Sequence, residues 1–275
     1  MVTGRRRLRI GLLFFLCCAA AATAGCHTRF RYNTDVRDAF VYECTVYRGG
    51  TDGEGTPIFD ETPAGAFDII IKPYLQRSGN IWLKLTTPTP TGRNTVFGQK
   101  NLGEKLVYMS ALGKVLESKR QNNTFSMYDL FFELPAKRQQ PGDSWTSQQY
   151  HEVHRTIMLG RSEGGQQGQY FALDYEKSLP IKYTYENKVR CAGNKCARLS
   201  VSAEYQETIA PDNNPLYAAL SYSRNGEVDF NLKLGMVQTA TYKEVFFKQI
   251  LDSYSDEVIM EANDVSKTVF TLKNK

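Results

Sequence analysis

Histidine is scarce in this chain, and its placement works against nucleophilic catalysis. Of 275 residues, only His27, His151 and His154 are histidines. Gly160-Arg161-Ser162-Glu163-Gly164 spells G-x-S-x-G, but a nucleophile elbow needs a strand before it, a helix after it and a histidine later in the chain. All three histidines precede Ser162, and Gly164-Gly165-Gln166-Gln167-Gly168 is a poor helix, so a flexible β-loop is expected there. An exported hydrolase would need a cleft in which Ser162 or His151 meets a base and an oxyanion donor. The same scarcity excludes most metal chemistry. His151-Glu152-Val153-His154 is one residue short of H-E-x-x-H, and on a strand its i, i+3 histidines point to opposite faces. Residues 164–168 lack the G-K-[ST] of a phosphate loop. The acidic run from Asp252 to Glu257 has no spacing that selects a general acid and base, and reads as a solvated loop. No metal, cofactor or catalytic residue is therefore expected.

A long apolar run is also missing: Ile10 to Gly25 falls short of the ~20 residues a spanning helix needs. So is a block of Lys and Arg after residue 25, which argues against a nucleic-acid partner. What the N-terminus does contain is export chemistry. In MVTGRRRLRIGLLFFLCCAAAATAGC, four arginines form a positive region, Ile10 to Leu16 an apolar centre, and Ala19 to Gly25 a small-residue approach to a cleavage site. Removing residues 1–25 removes those four arginines and lowers the formal net charge from +5 to +1.

Thr23-Ala24-Gly25-Cys26 resembles the lipobox of bacterial lipoproteins. Ala24, Gly25 and Cys26 match it, whereas Thr23 stands where an aliphatic residue is usual, and Ala22-Thr23-Ala24 also fits ordinary A-x-A cleavage. The resemblance implies diacylglycerol on Cys26 and a membrane as partner, because several acyl chains at about 0.8 kcal/mol per methylene hold a soluble domain on a bilayer. His27 stands where Asp signals inner-membrane retention in enteric bacteria, which implies the outer membrane, facing the periplasm. The expected organisation is a signal peptide over 1–25, a lipidated tether over 26–38 and a single large β domain over 39–275.

Cys191 and Cys196 flank Ala192-Gly193-Asn194-Lys195, which is turn chemistry, and in an exported chain they read as a disulfide across a hairpin neck. A zinc half-site of that spacing lacks a second cysteine or histidine pair to complete it. Cys44 falls in the alternation Phe40, Tyr42, Cys44, Val46, as a buried thiol on an apolar strand face. If Cys26 is not lipidated, a Cys26 to Cys44 bridge becomes the other pairing.

Alternation with period two runs through the rest, with no long helical period. Phe67, Ile69 and Ile71 alternate with Asp68 and Lys72; Ile81, Leu83 and Leu85 alternate with Trp82, Lys84 and Thr86. Across the cysteine turn, Ile181, Tyr183 and Tyr185 face Leu199, Val201 and Ala203, in a register that needs a one-residue bulge, expected at Gly193. Ser-x-x-Gly-x-Val occurs in two hairpin-like segments, Tyr108 to Val115 and Tyr222 to Val228, a weak sign of two similar halves. The stretch from Met236 to Leu272 fits long strands or a short helix around Glu244 to Leu251. The expected class is all-β with minor α content: a curved antiparallel sheet or unclosed barrel built as a hairpin meander.

Pro141-Gly142-Asp143-Ser144-Trp145, leading into a strand, resembles uncharacterised all-β bacterial envelope lipoproteins, which implies a non-enzymatic structural or interaction role among envelope proteins. A weaker architectural similarity, to lipid-carrier lipoproteins, implies a large apolar cavity lined by Phe67, Ile69, Trp82, Phe131 and Phe132.

Overall fold

The structure is a computed structural model and describes residues 27–86, 104–119, 129–158, 170–210 and 215–273, without the side chains of 104, 105, 118, 119, 150–158 and 170–177. Alternation becomes strand nearly everywhere. The strands are β1 (Phe40–Thr51), β2 (Pro57–Phe59), β3 (Gly65–Arg77), β4 (Asn80–Thr86), β5 (Glu104–Ser110) and β6 (Val115–Lys119), then β7 (Ser144–Met158), β8 (Tyr170–Cys191), β9 (Asn194–Ile209), β10 (Leu216–Asn231), β11 (Met236–Asp252) and β12 (Val258–Leu272). No helix occurs among the described residues. The stretch from Met236 to Leu272 is two long strands.

All twelve strands form one antiparallel, unclosed sheet in the order β6-β5-β4-β3-β1-β12-β11-β10-β9-β8-β7, with β2 beside β1. It consists of two meanders, β1 to β6 and β7 to β12, joined where β1 pairs β12 from Tyr42↔Leu272 to Gly49↔Val265. The sheet curls strongly. Three strand spacings of about 4.8 Å separate β10 from β7, yet Arg224 on β10 donates a hydrogen bond to Gln149 on β7 at 3.1 Å.

The inner face carries the apolar phase of the alternation: Tyr42, Cys44, Ile69, Ile71, Ile81, Leu83, Tyr183, Leu199, Val228 and Phe270 all belong to one buried cluster. Two segments outside the sheet fill that face. One is 129–134, where Leu130, Phe131, Phe132 and Leu134 are buried. The other is the segment expected to be a tether. Thr28, Phe30, Tyr32 and Thr34 are buried while Arg29, Arg31 and Asn33 between them are exposed, so residues 27–34 extend the period-two pattern into the core. Phe30 packs edge-on against Tyr185 at 5.4 Å and Phe230 at 5.9 Å, and Tyr32 lies 5.4 Å from Phe230. The reason is apolar area: burying two such rings stabilises by roughly 2–3 kcal/mol each, which a solvated linker would forgo. Main-chain hydrogen bonds hold the segment, with Thr28 and Gln139 exchanging both and Tyr32 donating to Ala111.

Three local expectations change. The Cys191–Cys196 disulfide is present, but the hairpin tip is regular: Cys191 pairs Asn194, and Ala192 and Gly193 are the two central turn residues, with φ of 46° and 77°. Positive φ at both positions matches the twist of the flanking strands, so the slack appears further down, between Tyr185 and Asn187, where Glu186 is the extra residue. Secondly, Tyr108 to Val115 spans the turn between β5 and β6, but Tyr222 to Val228 lies inside β10, paired to β11 throughout. Gly226 sits mid-strand because a Cβ there would meet the Thr241 carbonyl at 2.5 Å and the Tyr242 ring at 2.8 Å. Thirdly, Trp82 lies on the opposite face from its neighbours Ile81 and Leu83, which are buried.

Candidate functional site

The most unusual arrangement is a charged cluster within the inner face. On β10, Leu216, Ala218, Leu220 and Tyr222 point inward, and the same phase continues to Arg224. Its side chain is only 1% exposed. An isolated buried guanidinium would be prohibitive, so the surroundings are built to accept it. Arg224 Nη2 donates to Asp129 Oδ1 at 2.6 Å, Nη1 donates to Gln149 Oε1 at 3.1 Å, and Glu244 Oε1 lies 3.6 Å from Nη1. The guanidinium plane covers the Tyr242 ring at 3.8 Å. Its Nε has no hydrogen-bond partner among the described residues.

Around this pair the polar groups are tied to one another. Tyr242 Oη donates to the Asp129 carbonyl at 2.7 Å, Tyr222 Oη to Glu244 at 2.6 Å, and Gln149 Nε2 to Tyr183 Oη at 3.1 Å. Burial works against the charge on Arg224, but Asp129 and Glu244 outweigh it and the group stays protonated. Burial also pushes the Asp129 carboxyl up, to about 6, more strongly than the Arg224 charge pulls it down. Tyr42, Tyr183, Tyr222 and Tyr242 are all raised by burial, as is the Cys44 thiol. The Cys44 thiol and these phenols are therefore held in their neutral forms. The cluster lies between two apolar groups: Val228 and Phe230 on one side, and Leu216, Ala218, Leu220 and Ile250 on the other.

Of the residues read as a ligand lining, Ile69, Phe131 and Phe132 are buried in the core and Phe67 packs against it. Trp82 faces away from them and stacks on Tyr108 at 5.0 Å. Phe132 stacks on Tyr183 at 4.3 Å and Tyr32 meets Phe131 at 5.6 Å, which leaves little space. The cavity bordered by Tyr32, Phe40, Ile81, Met109, Phe131 and Met236 measures about 10 Å³, room for one water at most. The alternation around Ile81 and Leu83 already assigned Trp82 to the other face. Arg224 and Asp129 were missed, although an arginine in the apolar phase after Leu220 and Tyr222 was a readable signal.

The other sequence candidates divide as follows. Cys44 is a buried free thiol. His151 and His154 occupy β7 opposite Lys177 and Asp174; their side chains lie outside the description. Asp252 closes the turn between β11 and β12, accepting the N–H groups of Tyr254 and Ser255, which depress its carboxyl. Cys26, Ser162 and the glycines of 164–168 lie outside the described residues. No group of three or more potential metal ligands occurs among the described residues. No family model matches the chain and no curated protein matches it in sequence.

Proposed function

We propose that the chain is an exported bacterial lipoprotein, anchored through lipid on Cys26 at the periplasmic face of the outer membrane, whose β domain has a non-enzymatic structural or interaction role in the envelope. The observation that supports this reading best is the position of Thr28. Its backbone is bridged to Gln139 only two residues after Cys26, a span of about 7 Å at full extension. Acyl chains on Cys26 would seat the domain directly on the bilayer rather than on a leash. Arg224, Asp129, Glu244, Gln149 and Tyr222 are joined in one buried network, an arrangement that supports a structural role. The carrier reading has less support, because Ile69, Phe131 and Phe132 are committed to the core.

Metabolic labelling with palmitate tests the proposal. The wild type takes up label and Cys26→Ala does not; an unlabelled wild type cleaved after Ala24 overturns it.

A further inference from the structure

The sequence has no basic block after residue 25, but the fold assembles one. Four segments meet at one end of the strands. Residues 27–34 join 135–142 through the Thr28 and Gln139 hydrogen bonds, and join 230–238 through Asn33 donating to Gly235 at 3.2 Å. Residues 230–238 join the β8 to β9 hairpin tip, 187–197, through Leu232 donating to Lys195 at 3.1 Å. The circuit closes where Gly142 donates to Tyr185 at 2.7 Å, just before that tip.

None of these segments contains an Asp or Glu. The N-terminal segment presents Arg29 and Arg31, both exposed. The second presents Lys137 and Arg138, also exposed. Lys188, Arg190 and Lys195 from the hairpin tip and Lys233 from the next turn surround an open concavity of about 510 Å³ with Val189 and Leu232. None of these cations forms an ion pair among the described residues. Four carboxylates directly flank these segments, and each has a partner: Asp35 accepts Gln76 Nε2, Asp143 accepts the Gln140 N–H at 2.8 Å, Glu186 accepts Ser200 Oγ, and Asp229 accepts Arg198 Nε at 2.9 Å. Since the formal charge after residue 25 is only +1, this end is strongly polarised against the rest of the domain.

We propose that this basic end docks on anionic phospholipid headgroups. The chain leading to Cys26 leaves the fold at Thr28, within the same surface, so the inference rests on the lipid-anchor reading for its choice of a bilayer as occupant. Anchor and cations then engage one membrane, the two-signal arrangement that makes attachment stable. Clustered cations near a surface contribute enough that each one lost weakens binding about fivefold.

The test uses the chain from residue 26 with Cys26→Ala, a cut that precedes every described residue. Co-sedimentation is measured with vesicles of phosphatidylethanolamine and phosphatidylglycerol and with vesicles of phosphatidylcholine alone. Binding to the anionic vesicles only, falling as salt rises, is the expected result. Lys188→Glu with Lys233→Glu lowers the partition coefficient at least about 25-fold, whereas Lys182→Glu with Lys243→Glu, exposed on the outer face further along the strands, changes it far less. Arg29→Gln with Arg31→Gln probes the same surface should the first pair fail to fold. Equal losses in the test and control pairs, equal binding to both vesicles, or equally tight retention of a short DNA duplex would each overturn the proposal. Because this protein carries no lipid, a failure here is separate from a failure of palmitate labelling.

Discussion

Asp129 and Arg224 are 95 residues apart in the chain and 2.6 Å apart in the fold. The contact ties the segment that fills the inner face to the middle of β10, and each charge depends on the other for its tolerance of burial. Removing the cation leaves Asp129 and Glu244 facing each other without compensation. Arg224→Ala should therefore lower unfolding stability by about 3–5 kcal/mol, measured by urea denaturation. In a double-mutant cycle with Asp129→Asn the two losses fall short of additivity, and simple addition would show that the pair is not coupled.

The same carboxyl sets a pH dependence. Asp129 titrates near 3.8 in the unfolded chain and near 6 in the fold. Between those values the folded state holds the extra proton, so the stability from this residue is full below about pH 4 and is lost as pH rises through 6. The decline amounts to on the order of 3 kcal/mol. Urea midpoints of the wild type should fall across pH 4 to 6 relative to those of Asp129→Asn; parallel profiles would refute the assignment.

Phe30 distinguishes a core segment from a tether. Truncating its ring opens space among Trp145, Tyr185 and Phe230, so Phe30→Ala should cost about 3–4 kcal/mol. A residue in a solvated linker would cost under about 0.5 kcal/mol. Thermal melting separates the two outcomes.

The disulfide closes a short loop, with Cys191 and Cys196 five residues apart. Loop-closure entropy for that size gives about 2 kcal/mol. Replacing both cysteines by alanine should lower stability by that amount, and adding reductant should lower the wild type equally while leaving the double variant unchanged.

Much of the sheet was legible because its alternation is clean. Ile181, Tyr183 and Tyr185 against Leu199 and Val201 required one side to be buried, and any slip of one residue would have exposed it. The segment around Phe30 was not legible as part of the domain: it is short, follows a stretch read as a signal peptide, and finds its partners Trp145, Tyr185 and Phe230 more than a hundred residues away. The location of the bulge was hidden for a related reason. Gly193 permits an irregularity, but Ala192 also adopts positive φ, and nothing local announces that. The charged cluster and the basic end escaped because each collects residues from distant segments. Their members are unremarkable in sequence and acquire meaning only through pairings such as Thr28 with Gln139.

The pairing of β1 with β12 has a consequence for the order in which the domain can form. Tyr42 waits for Leu272, so the seam joining the two meanders closes only when the final strand has been delivered. Contacts of such sequence separation must meet the loop-closure cost before they return any stabilisation, which makes folding slow. A chain delivered N-terminus first keeps that seam open until its last strand arrives, so the first half of the sheet must wait for the second.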